Sequence, residues 1–221
     1  MARPRGFDEQ TVLETAMLRF RATGYAGTSL DDISAATGLG RGSLYASFGD
    51  KHTVFIKSLN EYVRQALAET RELLDGPDDT AVERLHGFLA SGARFVLDDD
   101  ERLGCMAGRF AHEVGTQDGK ARDIIRGVFL EQQRILRDCV AAAQRHGDLA
   151  PEADARAIAV MILSLNRGFD VMAKGGMDGA DLDAAAEQAF QGLPLTSRYR
   201  ARSGEAAHIP PARQEAGPAG G

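Results

Sequence analysis

A short stretch of the chain carries side chains suited to contacting nucleic acid. In chain order they are Arg41, Gly42, Ser43, Tyr45, Ser47 and Lys51. An arginine can hold guanine through two parallel hydrogen bonds, and a small hydroxyl side chain can contact a base or a phosphate. A phenol, a further hydroxyl and an ammonium suit sugar and phosphate oxygens. The glycine leaves room for a close approach, so the pattern favours a helix that contacts DNA.

Two short helices are predicted to position this stretch. Thr28 and Ser29 are each followed three residues later by an aspartate, a pattern that resembles the capping box and predicts a helix start. Gly38 stands where the chain must reverse, most simply in a left-handed conformation. Gly40 is an acceptable N-cap for the next helix. Residues 29–48 therefore predict a helix-turn-helix.

The second helix of this pair has an exposed face that is unsuited to packing in a hydrophobic core. Its two large apolar residues lie four apart and point back into the domain, while residues 41–43 occupy the first turn. Recognition helices contact bases with their N-terminal residues. With Asp31 and Asp32 assigned to helix caps, Arg41 and Lys51 are expected to be free to face DNA. The alternative is a solvated helix-turn-helix that serves packing only.

Residues around the predicted helix-turn-helix also form a recognisable signature. They are Phe20, Gly24-Tyr25, Thr28-Ser29, Ile33, Gly38-Leu39, Gly42-Ser43-Leu44-Tyr45, Phe48 and Lys51. In order and spacing they resemble the TetR/AcrR family of one-component bacterial transcriptional regulators. The likeness covers about residues 7–65, and the remainder agrees in length and helical layout without a shared motif. Ser34 and Gly40 depart from the family's usual residues, but both are small enough to preserve the turn.

The resemblance implies a homodimer that places two recognition helices in successive major grooves of a near-palindromic, double-stranded operator. It implies phosphate contacts by the threonine, tyrosine and lysine of the signature and base contacts by residues 41–43. The expected DNA-binding residues are Thr28, Ser29, Arg41, Gly42, Ser43, Tyr45, Ser47 and Lys51. Members of the family are usually repressors that a small molecule releases from DNA. Arg3 and Arg5 could add minor-groove or phosphate contacts, or serve as solubilising charges.

The distribution of charge disfavours indiscriminate binding to DNA. The 221 residues carry 26 basic and 32 acidic side chains, a formal charge of −6. Residues 1–57 hold seven basic and six acidic side chains, whereas residues 58–193 hold 15 and 24. An acidic C-terminal region behind a nearly neutral N-terminal region suits a protein that binds particular DNA sequences rather than any DNA. The sequence has no apolar run long enough for a membrane span or a signal core, so a cytoplasmic protein without membrane contact is expected.

Apolar spacings of three and four recur without any strand pattern, so the expected fold class is all-α. An N-terminal three-helix DNA-binding domain is predicted over 7–65 and a C-terminal regulatory and dimerisation domain over 77–193. Helices are expected at about 8–23, 29–37, 41–48, 50–74, 78–98, 103–115, 119–146, 151–174 and 180–192. Residues 194–221 are rich in Pro, Gly, Ala, Ser and Arg, and are predicted to form a disordered tail.

The 151–174 helix is apolar around most of its circumference and must be covered on all sides. Intramolecular packing would provide that cover, but a partner subunit is the simpler explanation. This helix and the one at 180–192 are therefore predicted to form the dimer interface. The expected interface residues are Ile158, Ile162, Leu165, Phe169, Met172 and Phe190.

The C-terminal domain offers large, adaptable side chains for a small-molecule effector of largely apolar character. The candidate ligand-binding residues are Phe95, Met106, Arg109, Phe110, His112, Phe129, Met161 and Asn166. The apolar members would line a pocket and the polar members would orient the polar groups of the ligand. The alternative is that the apolar members are simply core and the polar ones make buried hydrogen bonds or ion pairs.

Cys105 raises a further hypothesis, that of a repressor that senses oxidants or electrophiles through a thiol. A cysteine near a helix N-terminus can form a reactive thiolate. The alternative is a buried cysteine that acts as a small apolar residue, which is what we expect of Cys139. Two cysteines without metal-ligand spacing predict neither a disulfide framework nor a zinc site.

The sequence carries no motif of an enzyme. It lacks a phosphate loop, a dinucleotide glycine motif, a nucleophile elbow and a zinc-protease motif. A di-iron helical bundle needs two Glu-x-x-His pairs, and only Glu83 and His86 form one. No catalytic residue, metal or cofactor is therefore expected. A helical dimer that binds no DNA is the remaining alternative, and it leaves residues 41–43 unexplained.

Overall fold

The computed structural model describes residues 8–97, 103–115 and 117–204. Within these ranges the chain forms helices and no strand, as the all-α prediction requires. A short 3-10 turn, Asp78–Thr80, precedes the fifth helix. The helices are α1 (Glu9–Thr23), α2 (Leu30–Thr37), α3 (Arg41–Phe48), α4 (Lys51–Leu74), α5 (Ala81–Leu97), α6 (Met106–Glu113), α7 (Gly119–His146), α8 (Ala155–Lys174), α9 (Gly179–Gln191) and α10 (Ser197–Arg202).

Capping side chains fix the first turns of two helices that begin later than the sequence pattern predicts. Cys105 is the N-cap of α6, which starts at Met106 rather than near residue 103. The carboxylate of Asp154 accepts hydrogen bonds from the backbone N–H groups of Arg156 and Ala157, so α8 starts at Ala155. The chain between Pro151 and this cap forms a turn instead of helix.

The prediction of a disordered tail from residue 194 is wrong for the first part of that segment. Leu195 forms an isolated antiparallel bridge with Leu149, and both side chains are buried. Thr196 then caps α10, which buries Tyr199 against the core. Buried apolar side chains and hydrogen bonds such as that from the Thr196 N–H to the Asp148 carbonyl anchor a stretch whose overall composition is typical of disorder. Residues 205–221 lie outside the described residues, as do Arg3 and Arg5.

Two hydrophobic clusters hold the described helices together. The first contains residues from each of the first four helices, from α6 and from the first half of α7. Phe20, Phe55 and Phe110 are fully buried in it. The second joins α5, the second half of α7 and α8 to α10. Helix α4 reaches both clusters, since Phe55 belongs to the first and Leu74 to the second. Among the described helices, none combines the length and apolar character needed to cross a bilayer.

Candidate nucleic-acid interface

Local hydrogen bonds set the start and the turn of the helix-turn-helix. The hydroxyl of Ser29 accepts from the N–H of Asp32 at 3.1 Å, and the Asp32 carboxylate accepts from the N–H of Ser29 at 2.8 Å. This capping box confirms the predicted start of α2 and lowers the pKa of Asp32. Gly38 adopts a φ of 69°, a left-handed conformation that costs glycine little. The hydroxyl of Ser34 donates to the carbonyl of Leu39 and closes the turn.

Helix α3 turns its first residues to solvent. Leu44 and Phe48 are buried beneath the helix, whereas residues 41–43 and Tyr45 are exposed. Apart from Gly42, its two neighbours and the backbone of its own helix, no described atom lies within 4 Å of the place that a Cβ at Gly42 would occupy. The fold therefore does not require glycine there, and the open space is available to a partner.

Arg41 is not free, contrary to the sequence-based expectation. Its Nε lies 2.5 Å from Oδ1 of Asp31, across the junction between α3 and α2. Asp31 was expected to cap a helix with Thr28, but the cap of α2 is made by Ser29, so the carboxylate is available to the arginine. Both side chains are more than half exposed, and such pairs contribute about 0–1 kcal/mol. The pair can therefore open at little cost, and meanwhile it holds the guanidinium at the tip of α3.

Thr28 and Lys51 are also engaged within the fold. Thr28 is buried, and its hydroxyl donates to the carbonyl of Gly24 at 2.6 Å. The Thr28 hydroxyl fixes the turn after α1, so it would have to give up this bond to donate to a phosphate. The ammonium of Lys51 donates to the carbonyl of Tyr25 at 3.1 Å and lies 4.3 Å from the centre of its ring. These contacts hold Lys51 at the N-terminus of α4, although the expectation was a free side chain.

A surface recess of about 430 Å³ brings together most of the predicted DNA-binding residues. Those that line it are Thr28, Ser29, Arg41, Tyr45 and Lys51. Gly42 and Ser43 are exposed at the tip of α3, and Ser47 is half-buried farther along the same helix. Sequence reasoning did not assign Asp31 a place at this surface, because its spacing from Thr28 suggested a cap.

The end of α1 and the turn that follows it are hydrogen-bonded to α6. Arg109 donates to the backbone carbonyl of Arg21 at 2.8 Å, and Glu113 accepts from the N–H of Ala26 at 2.9 Å. A Cβ at Gly24 would lie only 2.7 Å from the Glu113 carboxylate, so the end of that side chain would have to shift, and the φ of 79° also favours glycine there. Phe110 packs edge-on against Phe55 with ring centres 4.8 Å apart. Arg109 and Phe110, both predicted to bind a ligand, thus contribute to the contact between α6 and the first four helices.

Several cavities lie near the other predicted ligand-binding residues. One, of about 600 Å³, lies between α6, α7 and α8, and its lining includes Arg109, His112 and Phe129. A smaller one, of about 100 Å³, includes Phe95 and Asn166.

The structure does not place the remaining ligand-binding candidates in these cavities. Met106 and Phe110 are fully buried in the first hydrophobic cluster, as the core alternative foresaw. Met161 is exposed on the outer side of α8. Tyr62 lines the smaller cavity but was not among the predicted residues. Arg167, an arginine inside an apolar helix pattern that could orient the polar groups of a ligand, lines both cavities.

Most residues predicted to form a dimer interface lie inside the subunit. Ile158, Ile162, Phe169 and Phe190 are buried in the second hydrophobic cluster, so that part of the prediction is wrong. Leu165 is half-buried and packs against the same cluster, and Met172 is exposed. Helical periodicity could not tell the inner apolar stripe of α8 from the outer one, because both are apolar. We call the outward stripe the α8 outer face. Its residues are Ala157, Met161, Ser164 and Met172, which are exposed, and Gly168, which is half-buried.

Models of protein families match both halves of the chain. The model for bacterial regulatory proteins of the tetR family matches residues 12–57. The model for the tetracyclin repressor-like C-terminal domain matches residues 81–189. Among curated proteins, the HTH-type transcriptional repressor ComR of Escherichia coli K12 is 26% identical over 193 residues, covering 87% of this chain and 90% of ComR. The repressor BdcR of the same organism is 28% identical over 192 residues, covering 86% of this chain and 91% of BdcR.

Solved structures give the same result. A cysteine mutant of the TetR family regulator CifR, in complex with 26-bp double-strand operator DNA, is 30% identical, with a TM-score of 0.75. The match covers 87% of this chain and all of the CifR chain. A TetR regulator from Chloroflexus aurantiacus J-10-FL has a TM-score of 0.75 at 24% identity, and the match covers 85% of this chain and 98% of that chain.

Proposed function

Because the chain belongs to the TetR family of bacterial transcriptional regulators, we propose that it is a DNA-binding repressor that acts as a homodimer on a near-palindromic operator. The observation that carries this proposal is the N-terminal turn of α3, where residues 41–43 are exposed and have no role in the core. A helical dimer without DNA binding would leave this turn unexplained. Operator DNA would place the protein in the bacterial cytoplasm.

We propose that the N-terminal turn of α3 contacts the bases of the operator. Arg41 would give up its exposed pair with Asp31 and hold a guanine, while Ser43 approaches a neighbouring base. Gly42 would let the helix backbone come close to the base edges, since the space beside it is open. Ser29, Tyr45, Ser47 and Lys51 would contact the sugar-phosphate backbone and fix the register.

The first test is the salt dependence of binding to DNA upstream of the protein's own coding sequence. We expect the logarithm of the association constant to fall linearly with the logarithm of salt concentration, by about 0.9 for each phosphate that a cationic group neutralises. A random-site selection run in parallel should yield one palindromic sequence. Binding that ignores salt, or a selection that enriches no sequence, contradicts the proposal.

Dimerisation is proposed to use the α8 outer face together with the outward face of α9. On α9 that face presents Ala184 and Ala185 to solvent. Small residues allow helices of two subunits to approach closely, and the exposed Met161 and Met172 would then be covered by the partner subunit. The covered face is the one left unpaired by packing within the subunit.

Release from DNA is proposed to follow the binding of a small molecule in the cavity between α6, α7 and α8. A ligand shifts an equilibrium only by its difference in affinity for the two states. The wall contributed by α6 also carries Arg109 and Glu113, which touch the turn after α1. A ligand that displaces α6 would therefore move the DNA-binding helices of each subunit.

A thiol sensor is the second candidate for the release step. The Cys105 sulfur caps α6, accepts a hydrogen bond from the N–H of Gly108 at 3.3 Å and lines the cavity of about 600 Å³. The hydroxyl of Tyr62 donates to the same sulfur at 3.3 Å. Burial acts to lower the pKa of Arg167, yet the nearby Cys105 and Tyr62 raise it overall, so the guanidinium lies close to this sulfur.

We expect N-ethylmaleimide to release the protein from operator DNA through Cys105. The thiolate would add to the maleimide double bond, forming a C–S bond while the adjacent carbon takes up a proton. The Cys105→Ser variant should keep its operator affinity under the same treatment, measured by fluorescence anisotropy. The Cys139→Ser variant is the matched control, since burial raises the pKa of the Cys139 thiol and disfavours its thiolate. A Cys105→Ser protein that responds like the parent contradicts the sensor.

A further inference from the structure

Arg167 on α8 is a partly buried cation with no carboxylate of the described residues in ion-pair contact. The residue is half-buried, and its Nε is closed off from solvent with no hydrogen-bond partner among the described residues. One of its other nitrogens donates to the amide oxygen of Asn166, which carries no charge. Buried charges are normally paired and hydrogen-bonded, because removing an ion from water is costly. Arg167 departs from this rule.

The neighbouring carboxylate does not supply the missing charge. Asp170 accepts a hydrogen bond from the backbone N–H of Cys105 at 2.9 Å. Among the described residues, no carboxylate oxygen lies within the 4.0 Å of an ion pair with Arg167. Burial also raises the pKa of Asp170, although Arg167 acts to lower it. Part of the guanidinium is therefore left without a local counter-ion.

Arg167 stands in the wall of a cavity large enough for a small molecule. The cavity of about 600 Å³ lies within the range of roughly 300–1,000 Å³ that ligand sites usually span. Its described lining includes the apolar side chains of Leu103, Phe129 and Val171. Its charged members are Arg109, Arg167 and Lys174 against Asp170. An apolar chamber with an excess of cations suits a molecule that has an apolar body and a negative end.

We propose that this cavity binds an organic monocarboxylate whose carboxylate pairs with the guanidinium of Arg167. The proposal rests on the proposed function, because it gives the effector of that repressor a chemical class. The geometry of a guanidinium matches a carboxylate through parallel N–H donors, which the unpartnered Nε can complete. The apolar body of the ligand would lie against Phe129 and Leu103, and the bound anion would contact both α6 and α8.

The test compares carboxylates with their neutral amides, using the full chain without DNA. The probes are hexanoate, benzoate and phenylacetate, each beside its amide, and binding is measured by isothermal titration calorimetry. We expect at least one carboxylate to bind about tenfold or more tightly than its amide, because a hydrogen bond to a charged group is roughly twice as strong as a neutral one. Carboxylates that bind no better than their amides across the panel overturn the proposal.

Variants then assign the effect to the residue. Arg167→Gln should abolish the preference for the carboxylate, and Arg167→Lys should retain a weaker preference, because the ammonium keeps the charge but not the paired donors. Arg137→Gln, at an exposed arginine of α7 that pairs with Asp138, is the matched control and should bind like the parent. Circular dichroism and retained amide binding establish that each variant is folded. A folded Arg167→Gln protein that still prefers the carboxylate overturns the proposal.

Two further outcomes separate this site from the other hypotheses. Cys105→Ser should keep the carboxylate preference, because a serine hydroxyl leaves the guanidinium in place; loss of the preference in that folded variant overturns pairing with Arg167. The assay contains no DNA, so it gives a result even if the protein fails to bind operator DNA. A carboxylate preference found in that case supports the anion site and contradicts only the proposed repressor function.

Discussion

Replacing Arg41 with alanine should remove most of the preference for operator over unrelated DNA. A bidentate contact to guanine is worth about 1–3 kcal/mol of discrimination per subunit, and a symmetric dimer makes it twice, so we expect the ratio of operator to non-specific affinity to fall by about a hundredfold. Non-specific affinity should change much less. Competitive anisotropy titrations with operator and scrambled duplexes measure both quantities.

Arg41→Lys is the informative control for this result. A lysine keeps the positive charge but cannot offer the planar pair of donors, so it should restore non-specific affinity without restoring operator preference. Asp31→Asn removes the carboxylate that holds the guanidinium at the tip of α3 while keeping the size of the side chain. An Arg41→Ala protein with undiminished operator preference would exclude α3 as the reading helix in the proposed form.

The second large effect is expected from Met161→Glu on the α8 outer face. Buried carboxylates facing each other across a two-fold axis would lose their hydration without gaining a counter-ion, so the variant should be monomeric. Operator affinity should then fall by about a hundredfold or more, because two linked half-sites bind much more tightly than one. Analytical ultracentrifugation reports the mass, and anisotropy reports the affinity.

A charge introduced elsewhere controls for the general effect of exposed glutamate. Leu18 on α1 is 46% exposed, close to the 41% of Met161, and lies far along the chain from α8. Leu18→Glu should leave the oligomeric state unchanged. A Met161→Glu protein that sediments as a dimer would show that the subunits meet through another surface.

The N-terminal helices could be predicted closely from the sequence, because local interactions determine them. Ser29, Gly38 and Gly40 act within a few residues of their own positions, and each adopts the role that its chemistry suggests. The start of α3 at Arg41 follows from those neighbours alone. Where the structure departs from expectation, the cause is a partner distant in the chain or in a neighbouring helix, as with the Asp31 carboxylate beside Arg41.

The C-terminal half was harder to predict because several of its surfaces are chemically alike. Both sides of α8 are apolar, so only the packing of α5 and α7 decides that Ile162 faces inward and Met161 outward. A composition typical of disorder concealed Tyr199, whose ring packs against Phe190 from α9. The association of α6 with the first four helices could not be predicted at all, since it depends on contacts such as that between Glu113 and Ala26, far apart in the chain.

A small tilt of helix α4 would produce a large displacement at its N-terminal end. Its 24 residues form a rod of about 36 Å, anchored beside α3 at Lys51 and in the second hydrophobic cluster at Leu74. A tilt of about 5° about its far end moves the near end by about 3 Å, close to the 3.4 Å rise between base pairs. In the proposed complex the two subunits would span half-sites about 34 Å apart. A tilt of this size would thus shift each DNA-binding head by about the spacing of one base pair.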